Sequence, residues 1–275
     1  MKNSCAHYVA TLTIAGSDSS GGAGVQADIK TMSALGCYAA SAITAITVQN
    51  TIGVTAVHAV PPEIVAGQIR AVMDDIRPCA VKVGMVNDAA TIHAIAKALG
   101  DYKVEHLVVD PVMVATSGSR LMQDDAVEVF CHELLPLATL LTPNVPEAEV
   151  LSGVKITDKA TMDDAARRVM ELGCKNLLIK GGHLEGQKVD RLYGELKREY
   201  VAQNVATRNT HGTGCTLSSA IAAFLAQGLP LDEAIAKAKA WLTEALKAGA
   251  GVEIGQGHGP VNHFFNPKSL VIIKK

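Results

Sequence analysis

Residues 9–36 read VATLTIAGSDSSGGAGVQADIKTMSALG. Val9 to Ala15 is a run of apolar and β-branched residues, which predicts a strand closed by Gly16. A glycine-rich loop follows, Gly16 to Gly24. Apolar residues then fall at Val25, Ile29, Met32 and Leu35, the spacing of a helix that Gly36 stops. Strand, loop and helix in this order form the first half of a parallel crossover unit.

The rest of the chain repeats that unit. Ser41 to Gln49 predicts a strand buried on both faces. Pro61-Pro62 opens a helix carrying Ile64, Val65, Ile69, Val72, Met73 and Ile76. Ala80 to Gly84 is a short strand, and Asn87 or Asp88 caps a helix through Leu99. His106 to Asp110 is a strand ended by Pro111; Asp124 or Asp125 caps a helix through Leu135. Thr139 to Thr142 is a strand ended by Pro143, followed by a short helix around Pro146 to Leu151. Thr161-x-x-Asp164 has the form of a capping box for a helix that Gly173 stops. Asn176 to Lys180 is a strand, and Val189 to Val205 reads as a hairpin or small antiparallel edge. Gly212 starts a very apolar helix to about Ala226, and Asp232 begins another to about Lys247. The expectation is an α/β fold, one domain over residues 1–275, with a mostly parallel sheet and helices on both faces.

Composition narrows the function. An apolar fraction of 48% in 275 residues supports a large core. Lys+Arg 25 against Asp+Glu 27 leaves no broad basic face for nucleic acid. Aromatics at 4% supply no stacking platform. Cys5, Cys37, Cys79, Cys131, Cys174 and Cys215 never form C-x-x-C, which argues against zinc and redox pairs. No apolar run is long enough to span a bilayer. Two threonines and Gly16-Ser17-Asp18 interrupt the signal-like stretch Tyr8 to Ala15. A reduced, soluble, cytoplasmic protein is expected, with a small-molecule substrate and neither nucleic acid nor membrane as partner.

In such sheets ligands lie beyond the carboxyl ends of the strands. Those ends carry Gly16-Ser17-Asp18, Thr47 to Gln49, Gly84-Met85, Asp110-Pro111, Asn144, Lys180-Gly181 and the Gly212 turn. The P-loop, dinucleotide, zincin and hydrolase-elbow signatures are absent. Asn209-Thr-His-Gly-Thr-Gly-Cys-Thr216 places glycines directly before an apolar helix, so backbone N–H groups and the positive helix end suit an anion. Cys215 at that helix start is expected to have a lowered pKa; a tight turn around a structural cysteine is the plainer alternative. His211 beside it raises a Cys–His pair as a further alternative. Ser17 to Ser20 with Gly21, Gly22 and Gly24 form a second polar, close-approach loop, and Asp28 lies one turn into the helix after it. Asp110 and Glu147 are carboxylates at neighbouring strand ends, a pair that holds Mg²⁺ through water, or a helix cap and a surface acid. Lys180 ends an apolar strand, placed to neutralise phosphate or to be solvated. Gln49 offers a donor and an acceptor that match an aminopyrimidine edge, or is a polar strand terminus.

Together these residues resemble the ribokinase superfamily, and within it the hydroxymethylpyrimidine/phosphomethylpyrimidine kinases of thiamine biosynthesis. The matching stretches are Leu12 to Leu35, Thr44 to Gly53 (TAITVQNTIG), Val83-Gly84-Met85, Val108 to Met113 (VVDPVM), Leu141 to Glu149 (LTPNVPEAE), Ile179 to His183 (IKGGH), Asn209 to Ala220 (NTHGTGCTLSSA) and Gly259-Pro260-Val261. The resemblance implies a ribokinase-like sandwich that moves the γ-phosphoryl of ATP to 4-amino-5-hydroxymethyl-2-methylpyrimidine and then to its monophosphate. It implies that Gln49 pairs with the amino edge, and that Ala23, Asp28, Thr47, Met85 and Val112 surround the ring. The amides of Gly212, Thr213, Gly214 and Cys215 then form the anion hole, Asp110 and Glu147 order Mg²⁺, and Lys180, with Thr210 and Gly212, contacts ATP. Sugar kinases of the superfamily place an Asp base where Cys215 stands, whereas the pyrimidine kinases resemble this chain in having Cys. A related branch with the same Cys acts on pyridoxal; Gln49-Asn50 favours the pyrimidine. A homodimer is expected. A pyridoxal kinase and a non-catalytic pyrimidine-binding regulator are the rival readings.

Overall fold

The computed structural model describes residues 6–113, 121–181 and 188–274. Strands β2 (Ala10–Ser17), β3 (Tyr38–Gln49), β5 (Ala80–Val83), β6 (Leu107–Val109), β7 (Leu140–Leu141) and β8 (Leu177–Ile179) pair in parallel. Antiparallel β4 (Val54–Ala59) closes one edge, and β9 (Lys188–Tyr193) with β10 (Arg198–Ala202) closes the other. The order across this nine-stranded sheet is β10-β9-β8-β7-β6-β5-β2-β3-β4. Chain direction across the sheet reverses at β2, because β3 lies on one side of it and β5 on the other. The loop leaving β2 therefore opens into the crevice that such a reversal creates.

Side-chain alternation explains the two layers. Leu107 and Val109 face one core while Val108 faces the other; Leu177 and Ile179 oppose Leu178 in the same way. The first core is covered by α2 (Pro62–Asp75), α3 (Ala89–Gly100), α4 (Asp124–Val129), α5 (Val145–Ser152) and α6 (Lys159–Glu171). The second is covered by α1 (Gly24–Ala34), α7 (Thr213–Ala226) and α8 (Leu231–Gly249). Strands buried on both faces read as continuous apolar runs, the pattern met in the sequence.

Several local expectations change. β3 is not buried on both faces throughout: Ile46 is 52% and Val48 59% exposed. Past Ile46 it has left β2 and pairs only with β4, as a ribbon overhanging the sheet. β4 escaped the sequence reading because its side chains are exposed and present no core-facing period. The helix expected from Asp124 or Asp125 through Leu135 begins at Asp124, so neither acid sits before it. It stops being α at Val129, passes through a π turn (Phe130–Leu134) and ends as a 3₁₀ turn (Leu135–Leu137). Pro136 lacks the N–H an α-helix would need there. The capping box of α6 is one turn earlier than expected: Asp158 accepts from the Thr161 N–H at 2.8 Å, and Thr161 Oγ1 accepts from the Asp158 N–H. Asp164 instead pairs with Arg167 and Arg168. Asp88, not Asn87, caps α3 through the Thr91 N–H. β1 (Ala6–Tyr8) and β11 (Ile272–Lys274) form a separate two-stranded sheet that the sequence did not suggest. Cys5, Gly182 and His183 lie outside the described residues.

Candidate active site

A cavity of about 750 Å³ lies beyond the carboxyl ends of the parallel strands. Two glycine-rich loops build its floor. Gly212 has φ +76, and a Cβ there would strike the carbonyl of Gly22; a Cβ on Gly22 would strike the His211 ring. Glycine at both positions lets residues 18–24 and 209–215 dock backbone to backbone. This docking aims the first turn of α7 into the cavity.

That turn lies directly against a buried ion pair. A Cβ on Gly214 would stand 3.3 Å from Lys180 Nζ and 3.5 Å from Asp110 Oδ2. Lys180 Nζ donates to Asp110 Oδ1 at 2.7 Å, and Thr142 Oγ1 donates to the same oxygen at 3.1 Å. Burial pulls the Lys180 ammonium down, but Asp110 and Glu147 prevail and raise it, so it stays charged. Glu147 is buried at the start of α5. Its Oε2 accepts from the Asn144 N–H while Asn144 Oδ1 accepts from the Glu147 N–H, each at 2.8 Å. Burial pushes its carboxyl up and Asp110 adds to this, while Lys180 opposes. Glu147 serves in a helix cap and also lines the cavity, and it is no surface acid. Among the described residues no cluster of three or more His, Cys, Asp or Glu is placed to hold a metal.

Cys215 departs from expectation. Its thiol is pushed up to about 11 by burial; the Lys82 ammonium and the Gly24 N–H act against this, and the Asp28 and Asp110 carboxylates act with it. Desolvation outweighs the helix terminus, so the free thiol is neutral near pH 7. Nor does His211 pair with it: His211 Nε2 lies 2.8 Å from Asp18 Oδ2.

Most of the residues singled out in the sequence share this one cavity. Ala23, Thr47, Gln49, Met85 and Val112 line one end, and Thr210 with Gly212 to Cys215 and Lys180 line the middle. Asp28 is the exception. It is fully buried behind the wall, where Lys82 Nζ reaches its two oxygens at 3.0 and 2.8 Å and the hydroxyls of Thr13 and Ser219 donate at 2.5 and 2.6 Å. Its carboxylate is saturated by the protein itself and does not face the cavity. Lys82 was not anticipated, although a lysine inside the apolar strand Ala80–Val83 was the visible signal. Also unanticipated was the far end of the cavity, where Lys239 of α8 pairs with Asp190 of β9 at 2.5 Å.

Fold and site together define a small-molecule kinase of the ribokinase-like class. A solved ADP complex of a pyridoxal kinase from Bacillus subtilis superposes with a TM-score of 0.85 at 35% identity, covering 93% of this chain and 97% of that one. A hydroxymethylpyrimidine/phosphomethylpyrimidine kinase of Rhizobium meliloti is 54% identical over 256 residues, 92% of this chain and 96% of the relative. A thiamine biosynthesis bifunctional protein of Geobacter sulfurreducens is 53% identical over 254 residues, and this chain spans about half (51%) of its length. The family model described as phosphomethylpyrimidine kinase matches residues 18–262. The chain belongs to the phosphomethylpyrimidine kinase family.

Proposed function

We propose that this protein, as one ribokinase-like domain, transfers the γ-phosphoryl of ATP to 4-amino-5-hydroxymethyl-2-methylpyrimidine and then phosphorylates the monophosphate to the diphosphate. The observation that carries this reading is the continuity of one cavity from Gln49, through the first turn of α7, to the Lys180–Asp110 pair. Phosphoryl transfer needs positioning and charge neutralisation more than covalent chemistry. In this reading Gln49 meets the amino edge of the ring, while Ala23, Thr47, Met85 and Val112 enclose it. The amides of Gly212, Thr213, Gly214 and Cys215 receive the transferring phosphoryl, and Lys180 and Thr210 hold ATP phosphates. The hydroxymethyl oxygen bonds to the γ-phosphorus as the bond to ADP breaks, and its proton leaves to solvent or, in the small fraction of molecules that carry Cys215 as thiolate, to that sulfur.

Asp110, just past β6, and Glu147, in the first turn of α5, present hard oxygen donors to the cavity. Mg²⁺ is commonly held by one or two carboxylates plus substrate phosphates, so this pair fits it. The ion would neutralise phosphate charge; Asp110 and Glu147 would orient it, and Lys180 would move from Asp110 toward phosphate.

The reading includes a cytoplasmic location, which the free thiols of the described cysteines support. It also includes a homodimer, supported by exposed Ile46 and Val48, which share one face of β3. Light scattering checks the dimer. The deciding experiment is ATP turnover with the pyrimidine alcohol, its monophosphate and pyridoxal side by side. Both pyrimidines should be phosphorylated with higher kcat/KM than pyridoxal; a preference for pyridoxal would overturn the assignment.

A further inference from the structure

Asp18, at the end of the first loop's entry strand, has a nearly buried carboxylate surrounded by donors. Oδ1 accepts from the Ser20 N–H at 2.8 Å and from its hydroxyl at 2.7 Å. Oδ2 accepts from the N–H groups of Gly22 and Ala23 and meets His211 Nε2 at 2.8 Å. Burial acts to raise its pKa, but the bonds from His211, Ser20 and Ala23 prevail and lower it to about 2. An ionised carboxylate at that distance needs a hydrogen on His211 Nε2, whether the ring is neutral or charged.

The other side of the same nitrogen faces Gln49. The amide nitrogen of Gln49 lies 3.4 Å from His211 Nε2, and its Oε1 lies 3.1 Å from Thr47 Oγ1. Thr47 Oγ1 is also 2.8 Å from the carbonyl oxygen of Ser17. A hydroxyl has one hydrogen, and a carbonyl cannot supply one, so that hydrogen goes to Ser17. Thr47 therefore faces Gln49 as an acceptor. With its nitrogen toward His211, the amide sets donor against donor at one end and acceptor against acceptor at the other. Half a turn about the terminal torsion resolves both contacts at once. Oε1 then shares the single His211 Nε2 hydrogen with Asp18 Oδ2 as the longer arm of a three-centre bond, and the amide nitrogen donates to Thr47.

We propose that His211, held by Asp18 and working with Thr47, is a positioning residue that fixes the orientation of the Gln49 amide and thereby decides which hydrogen-bonding edge the cavity accepts. The proposal rests on the reading that Gln49 meets the substrate's ring edge. The fixed amide shows its carbonyl on the His211 side and its N–H on the Thr47 side. It accepts an edge with an amino donor beside a ring-nitrogen acceptor, the amino group toward His211. The 4-oxo analogue of the same alcohol carries the reverse pattern, a carbonyl beside a ring N–H. Against a fixed amide that edge leaves buried groups unpaired; against a freely turning amide it binds as well as the amino form.

The experiment compares kcat/KM for the 4-amino and 4-oxo alcohols in wild type, His211→Leu, His211→Gln and Gln49→Met. Wild type should favour the amino form by roughly a thousandfold or more, as expected of a site built around paired polar groups. His211→Leu should reduce that ratio at least about tenfold, the loss of one oriented hydrogen bond. His211→Gln, which keeps an N–H donor, should hold the ratio near the wild-type value. A merely structural histidine would lower both substrates alike and leave the ratio unchanged. A wild-type ratio in folded His211→Leu, with the ratio collapsed in Gln49→Met, overturns the role of His211 and spares the pyrimidine reading. A wild-type ratio in Gln49→Met overturns the reading and the proposal together. The wild-type protein gives an independent check if a variant fails to fold: ¹⁵N chemical shifts of His211 should show a protonated Nε2, and an unprotonated Nε2 overturns the proposal.

Discussion

The ammonium of Lys180 stands 2.7 Å from Oδ1 of Asp110, with both side chains largely withdrawn from water. The two residues are 70 positions apart and end strands separated in the sheet by β7 alone. Lys180→Met leaves the Asp110 carboxylate buried without its cation, a loss of about 3 kcal/mol by the usual behaviour of such pairs. Denaturant unfolding should show this loss. The double variant Lys180→Met with Asp110→Asn should recover part of it, while kcat/KM for ATP stays at least roughly a hundredfold low in both, as for a lost phosphate contact in a dry site. Recovery of activity along with stability would remove Lys180 from phosphate handling.

Cys215, half-buried in the cavity wall, should behave as a poorly ionised thiol in the free enzyme. Its alkylation by iodoacetamide, followed by peptide mapping, should be slow at pH 8 and still rising above pH 9, because burial holds the thiol near 11. Cys215→Ser preserves the backbone amides of the α7 turn. If the sulfur takes the alcohol's proton, phosphorylation of the alcohol should fall by roughly a hundredfold or more while that of the monophosphate falls far less. Equal small losses in both steps would leave the turn as an anion cradle alone.

His263 gives a pH signature in stability. It is buried against α7, where Thr216 Oγ1 lies 3.1 Å from its Nε2. Burial first, and the Lys30 ammonium second, depress its pKa from 6.5 to about 4. The unfolded chain therefore binds a proton that the folded chain refuses between these values. Stability is full above pH 6.5 and falls as the pH drops toward 4, by up to about 3 kcal/mol. Urea midpoints measured from pH 7 to 4.5 should show this slope, and His263→Gln should flatten it. An unchanged slope in that variant would assign the acid sensitivity to other groups.

The cap of α6 is a local test. Asp158→Ala removes the acceptor for the Thr161 N–H and should lower the melting temperature. Asp164→Ala removes only exposed pairs with Arg167 and Arg168 and should lower it less. Thermal melts of the two variants decide the order, and the reverse order would restore the box at Thr161.

Local signals carried much of the architecture. Apolar runs ending in Gly16, Asp110 and Lys180 marked strand ends, and the helical spacing from Val25 to Leu35 marked the crossover. Because ligands in such sheets meet strand ends and helix starts, the same signals also named Gln49, Lys180, Asp110 and the Gly212 turn before any contact was visible. β4 was lost because a hairpin arm with exposed side chains has no buried face to impose a period.

What the sequence by itself determined was the order of elements and the residue types at their ends, since both follow from neighbours a few positions apart. The tertiary structure alone decided which groups meet and how dry their surroundings are. His211 finds Asp18 across 193 positions, and Ser219 finds Asp28 across 191. Asp28, legible as a candidate ligand, is instead consumed by Lys82, and Cys215, legible as a thiolate, is instead kept neutral. In each case the outcome depends on the dielectric and the donors supplied by distant segments, and no local spacing encodes those.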